Sequence, residues 1–199
     1  MIFFTADPHF GHARINELAN RPFRDVTHMN EMIVANWNAV VSPEDIVWVL
    51  GDIALGPIME SLEYVGRLNG TKRMVIGNHD RCFAGGRRSK GISPEEWVGI
   101  YEEAGFCGVF PDAAIVLGAG GTRFRMSHFP YAGDSHGEDR FSGFRLMDTG
   151  IALLHGHTHS KNKISRSPRG TLQINVGVDA NAFTPISEEE ILAIIAEES

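Results

Sequence analysis

The amino terminus reads Met1-Ile2-Phe3-Phe4-Thr5-Ala6-Asp7-Pro8-His9-Phe10-Gly11-His12. A short run of β-formers predicts a strand over 2–6, and it breaks off into an acid, a proline and two histidines. Pro8 biases Asp7 toward extended backbone, so the strand closes in a turn. The same pattern recurs. Strands are predicted over 45–50, 72–76, 113–117, 123–127, 150–154 and 172–176, alternating with helices near 13–20, 28–41, 58–68, 94–104 and 187–197. Ser93-Pro94-Glu95-Glu96 carries a serine N-cap, a proline at the first helical position and a glutamate completing a capping box. Ser187-Glu188-Glu189-Glu190 repeats the serine–glutamate box. Strands interleaved with helices indicate an α/β fold.

The residues at the carboxyl end of each strand carry the chemistry. After 45–50 comes Gly51-Asp52, and after 72–76 comes Gly77-Asn78-His79-Asp80. His128 comes directly after 123–127, and His155-Gly156-His157-Thr158-His159 directly after 150–154. Ligands sit at the carboxyl ends of strands in open α/β sheets, so these side chains are placed to converge. Asp7-Pro8-His9 or Gly51-Asp52 alone is ordinary turn chemistry. Gly77-Asn78-His79-Asp80 says more, because a turn needs neither the histidine nor the second acid. His157-Thr158-His159 would project two imidazoles to one side of an extended segment, which suits metal ligation.

Composition narrows the class. A chain of 199 residues suits one domain, and 43% hydrophobic with 22% charged residues excludes a disordered chain. Cys82 and Cys107 are the two cysteines and form no CxxC, so neither a disulfide framework nor a cysteine zinc site is expected. The amino terminus lacks the basic region of a signal peptide, and no apolar run approaches the roughly 18 residues needed to span a bilayer. A cytoplasmic protein without a membrane partner is expected. The net charge of -7 argues against general affinity for nucleic acid or anionic membranes.

The ordered series D-x-H, G-D, G-N-H-D, H, G-H-x-H runs from Asp7 to His159 and resembles the signature of the calcineurin-like metallophosphoesterases. Asp7-Pro8-His9-Phe10-Gly11-His12, Asn20-Arg21-Pro22-Phe23, Leu68-Asn69-Gly70 and Ser127-His128-Phe129-Pro130-Tyr131 are similar to a small bacterial and phage branch of that family. Pro8 stands where other small residues are common, and it leaves both flanking ligands intact. The resemblance implies a single domain over 1–199. Its expected fold is a four-layer αββα sandwich, two mixed sheets face to face with helices outside.

The resemblance also implies two divalent cations at the strand ends. Asp7, His9 and His159 would bind the first, Asn78, His128 and His157 the second, and Asp52 would bridge both. Mixed carboxylate, amide and imidazole donors suit Mn²⁺, Fe, Zn²⁺ or Ni²⁺ better than Ca²⁺, with Mn²⁺ the first choice. A metal-bridging hydroxide would attack phosphorus in line, His79 would protonate the leaving oxygen as general acid, and Asp80 would orient His79. His12, Arg21 and Arg81 are the candidate contacts to substrate phosphate. His155 and Cys82 are expected to pack beside the site.

The expected activity is hydrolysis of a small, nucleotide-like phosphodiester, since His79 can protonate a poor leaving group. A phosphomonoesterase of the same fold is the alternative, and a catalytically silent metal-binding scaffold is a second. The scaffold is disfavoured because every ligand position is filled. A metallo-β-lactamase-type site would need an early HxHxDH, whereas here the histidine cluster comes late. Nucleic acid enters only as a possible substrate, and oligomeric state stays open. Loops 81–92, 131–145 and 160–170 hold ten of the 18 lysines and arginines against three acids, which predicts a basic rim around the site.

Overall fold

Side chains alternate across a strand, and β1 (Ile2–Thr5) uses both faces. Phe3 and Phe4 are both buried, and each belongs to a different hydrophobic core. A strand apolar on both faces belongs inside a layered fold rather than at its surface. The computed structural model describes residues 1–86, 91–111, 114–117 and 121–198, and it bears this out.

β1 lies in a five-stranded sheet with β2 (Ile46–Val49), β3 (Thr71–Val75), β4 (Phe106–Phe110) and β10 (Ile186–Ser187), in the order β10-β1-β2-β3-β4. All pairs are parallel except β1 with β10. The second sheet contains β5 (Ala114–Leu117), β6 (Arg123–Met126), β7 (Leu153–His155), β8 (Ile164–Arg166) and β9 (Leu172–Asn175). Its order is β5-β6-β7-β9-β8, parallel at the centre and antiparallel at both edges. Parallel pairing puts the carboxyl ends of β1, β2 and β3 along one edge, and those of β6, β7 and β9 along another. A parallel bridge between Ala6 and Gly177 joins the two edges.

The helices are α1 (Ile15–Leu18), α2 (Val26–Val40), α3 (Ile58–Leu62), α4 (Pro94–Glu103) and α5 (Glu188–Glu197). Met29, Ile33 and Trp37 of α2 and Trp97 and Tyr101 of α4 share a core with Phe3, Val47, Val49 and Met74 on one face of the first sheet. On its other face Phe4, Leu50 and Val75 meet Phe124, Met126, Leu154 and Ile174 of the second sheet, with Ile191 and Ile194 of α5. The fold is therefore an α/β sandwich of two mixed sheets with flanking helices. The far face of the second sheet carries Arg125, Leu153 and Gln173. There the Gln173 side chain bonds both the N–H and the carbonyl of Ala132, so a loop covers it. Among the described residues no helix is long and apolar enough to cross a membrane.

Local signals explain most boundaries. Ser93 and Glu96 form the full capping box of α4. Ser187 accepts the Glu190 N–H at 3.2 Å, but the Glu190 carboxylate goes to Lys163 at 2.6 Å, so that second box is half made. The helix expected over 58–68 divides into α3 and a 3₁₀ turn at Glu63–Arg67. The strand expected from 150 begins at 153, and residue 113 of another lies outside the described residues. Three strands have no expectation behind them. β4 contains Gly108, β8 is exposed along its length, and β10 has two residues, so none shows a clear period.

Phe4 has no exposed surface, and its ring meets Phe124 edge-on at 5.7 Å across the two sheets. Phe4→Ala should lower the unfolding free energy by about 3–5 kcal/mol in a denaturant titration. A loss below about 1 kcal/mol would show that the inter-sheet core does not rest on this contact.

Candidate metal centre

The turns that follow β1, β2 and β7 are strained. Asp7 (φ 57°), His9 (φ 52°), Asp52 (φ 56°), His157 (φ 70°) and His159 (φ 50°) all hold left-handed backbone. Non-glycine residues adopt this region at a cost of about 1–3 kcal/mol, and such strain gathers at functional sites. The His157-Thr158-His159 segment is thus not extended, as the sequence suggested, but coiled. The turns after β2 and β3 also press together. A Cβ on Gly51 would lie 2.4 Å from the Gly77 nitrogen, so only glycine fits.

Two carboxylates sit at the centre, Asp7 and Asp52, each 1% exposed. Asp7 Oδ2 accepts the His157 N–H at 2.9 Å, while its Oδ1 is buried without a partner. Asp52 Oδ1 accepts the His79 N–H at 2.8 Å. Its Oδ2 lies 3.6 Å from His9 Nε2 and 3.5 Å from His128 Nε2, between the two rings. Asp7, His9 and His159 offer ligand atoms within 4.8 Å of one another, and so do Asp7, Asp52 and His128.

The donor set fits a cation. Both ring nitrogens of His9 are buried without partners. His128 Nδ1 donates to the Leu50 carbonyl at 2.8 Å, so its Nε2 keeps a bare lone pair. That lone pair faces Asn78 Oδ1 at 3.0 Å as well as Asp52 Oδ2. Converging acceptors with nothing to donate are repulsive until a positive ion sits among them. Burial pushes the Asp7 carboxyl up to about 6 and the Asp52 carboxyl up to about 7. Burial also holds His9 well below its ordinary value.

Outer partners fix the other rings. His159 Nδ1 bonds Asp179 Oδ2 at 2.9 Å, which leaves Nε2 for a ligand role. Although desolvation opposes it, this bond together with the Asp7 charge raises the His159 pKa. His157 Nε2 bonds Asp134 Oδ2 at 2.9 Å, leaving Nδ1, and its ring centre lies 5.1 Å from that of His128. His157 falls outside both close triads. An imidazole held by a carboxylate on its far nitrogen is a common way to orient a metal ligand.

Two expected roles change. Arg21 is 5% exposed, and its donors go to Asp179 (2.9 and 2.8 Å) and to the carbonyls of Pro8 (3.0 Å) and Asp7 (2.8 Å). It buttresses the site from behind, with nothing left for a substrate phosphate. The Asp80 carboxylate accepts the backbone N–H groups of Asp52 (2.8 Å), Ile53 (3.2 Å) and Gly77 (2.7 Å). It staples the turn after β2 to the turn after β3 instead of orienting the His79 ring.

His79 is exposed, with its ring 5.4 Å from that of His9. Desolvation in the crowded cleft, reinforced by the His128, His12 and His159 rings and by Arg140, lowers it to about 4. His12 is half-buried with its ring 5.5 Å from that of His9, and Arg81 is half-buried with Nε unpartnered. His155 is buried and donates Nδ1 to the Gly156 carbonyl at 2.8 Å, and Cys82 is buried too. The expected basic rim is partly neutralised, since Arg140 and Arg145 pair with Asp134, Lys163 with Glu190 and Arg166 with Glu198. Arg87, Arg88 and Lys90 lie outside the described residues.

Asp179 and Asp134 have no counterpart in the sequence reading. Asp179 was findable, since Asn175-Val176-Gly177-Val178-Asp179 is another strand end with an acid. Asp134 lies in irregular chain 23 residues before His157, and no local pattern marks it.

The sequence and the fold have counterparts among known proteins. Residues 26–195 match the calcineurin-like phosphoesterase superfamily domain. The Gene 66 protein of Mycobacterium phage D29 is 38% identical over 196 residues, covering 94% of this chain and 92% of that protein. The Gene 66 protein of Mycobacterium phage L5 is 35% identical, covering 97% and 93%. The crystal structure of AQ665 from Aquifex aeolicus, a protein of unknown function, superposes with a TM-score of 0.71 at 26% identity, covering 98% of each chain.

Metal binding must expel the protons that the raised groups carry. With Asp7 near 6, Asp52 near 7 and His159 raised, the metal-free site holds protons near pH 6 and has shed most of them near pH 9. Calorimetric Mn²⁺ titration in buffers of different ionisation enthalpy should show about one proton or more released near pH 6, fading toward pH 9. Binding without proton release near pH 6 would contradict this account of the site.

Proposed function

The chain belongs to the calcineurin-like phosphoesterase superfamily and is a metal-dependent phosphoric ester hydrolase, and from that premise we propose that it hydrolyses small nucleotide-like phosphodiesters. The observation that carries the reading is the pair of buried carboxylates, Asp7 and Asp52, ringed by unpartnered imidazole nitrogens and an amide oxygen. Asp7, His9 and His159 would hold one divalent cation, and Asn78, His128 and His157 would hold the other. Asp52, with Oδ2 between His9 and His128, would reach both. Mn²⁺ is the first choice for this mixed nitrogen and oxygen set. When bound, such cations supply Lewis-acid stabilisation of phosphoryl oxygens and lower the pKa of water.

The chain's own residues do the rest. The His79 N–H is pinned to Asp52 Oδ1 at 2.8 Å while its side chain stays exposed, so the ring stands at the mouth of the cleft. It is neutral at rest. An arriving phosphate anion favours the imidazolium and raises the pKa. The ring then holds a proton at the position where the leaving alkoxide needs one. Asp80 acts as a positioning residue, tying the amides of Asp52 and Gly77 so that His79 and Asp52 keep their spacing. An alkoxide departs poorly without that proton, so the ring is of most use on an alkyl ester with a poor leaving group.

Chelation should abolish hydrolysis, and Mn²⁺ should restore it. His79→Ala should keep its metals yet slow hydrolysis of an alkyl diester by roughly 10²- to 10⁴-fold, with a smaller loss on a nitrophenyl diester whose leaving group needs no proton. Equal losses on both substrates would mean that His79 positions substrate rather than supplying the proton.

A further inference from the structure

The Asp134 side chain has no exposed surface, although it stands in the irregular segment between β6 and β7. Its Oδ2 accepts His157 Nε2 at 2.9 Å and Arg145 Nη2 at 3.0 Å. Its Oδ1 accepts Arg140 Nη2 at 2.7 Å and Arg140 Nε at 3.0 Å. Two guanidinium groups thus share one buried carboxylate, which leaves the cluster positive. The other acid in reach, Asp139, is half-exposed and 4.0 Å from Arg145.

The two arginines are not equivalent. Arg145 is 6% exposed, and it spends its remaining donors on the carbonyls of Pro130, Gly133 and Arg140. Arg140 is 36% exposed. One edge of its fork lies on Asp134, with Nη2 also on Ser135, while Nη1 has no partner among the described residues. Its guanidinium stands 5.5 Å from the centre of the Phe141 ring, which packs 5.9 Å from the His157 ring. Phe141 itself holds left-handed backbone (φ 56°), a strained state for a bulky residue. A buried acid and a strained aromatic neighbour together aim this arginine beside a candidate ligand. Its charge is also felt, after desolvation and closer groups, at Asp52, His79 and His157, which come from three different strand ends.

We propose that Arg140 is an anion contact of the active site, its free Nη1 donating to a non-bridging oxygen of the substrate phosphate, and that Asp134 is the positioning residue that fixes both this guanidinium and the His157 ring. The inference rests on the phosphoesterase reading and extends it to a residue from the irregular segment. Guanidinium suits the task because its donors are planar and permanently charged, and a charge-assisted bond to phosphate is among the stronger hydrogen bonds.

Inorganic phosphate binding to the Mn²⁺-loaded protein, measured by calorimetry, tests this directly. Arg140→Ala should weaken phosphate binding roughly ten- to hundredfold with metal content unchanged, and Arg140→Lys should recover part of the loss. The KM for a nitrophenyl diester should rise in step. Phosphate affinity in Arg140→Ala within about twofold of the parent would overturn the assignment. If Arg140→Ala does not fold, phenylglyoxal labelling of the parent decides, because bound phosphate should shield Arg140 and unshielded labelling overturns the proposal. A parent protein that binds phosphate and turns over ester, with Arg140→Ala doing both equally well, removes only Arg140. A loaded parent that does neither overturns the phosphoesterase reading along with it.

Discussion

Two carboxylates without a counter-ion govern this molecule. Asp7 and Asp52 are each 1% exposed, and among the described residues no lysine or arginine pairs with either side chain. Removing an ionised carboxylate from water costs several kcal/mol unless a charge or hydrogen bonds compensate. Without a cation such a site would retain protons, the direction in which burial moves the Asp7 and Asp52 carboxyls. A cation replaces those protons with a stronger partner. Metal affinity and folding stability are then linked, since whatever binds the native state alone stabilises it.

Keeping such groups together requires the surrounding structure to hold them. Parallel pairing brings the strand ends side by side, and left-handed turns direct Asp7, His9, Asp52, His157 and His159 inward at a cost the sandwich core must offset. Three imidazoles are anchored on the nitrogen away from the centre. Leu50 holds His128, Asp179 holds His159 and Asp134 holds His157, so each ring presents its other nitrogen as an acceptor. Arg21 locks Asp179 and the Asp7-Pro8 carbonyls in one move, and Asp80 locks the turns carrying Asp52 and Gly77. These anchoring side chains are buried, and each is hydrogen-bonded to a partner outside the centre.

The strand ends were legible because a short run of β-formers breaking off into Gly, Asp or His is a local signal. That is why β1, β2, β3, β6 and β7 and their candidate ligands could be read in order. Direction was not legible. Arg21 and Asp80 stand in motif context, yet their side chains point at backbone and at a partner 158 residues away for Arg21. Nothing in a short sequence shows whether a charge faces substrate or is neutralised internally. Asp134 was silent for a related reason, since the fold alone brings it to His157. The same limit applies to the edges, where β8 is exposed and β10 has two residues that pair only because β1 is already there.

The most direct test is a crystal structure of the Mn²⁺-soaked protein with anomalous diffraction at the manganese edge. Two peaks about 4 Å apart are expected, one beside Asp7, His9 and His159, the other beside Asn78, His128 and His157, with Asp52 touching both. A single peak, or two that leave Asp52 without a metal contact, would contradict the account.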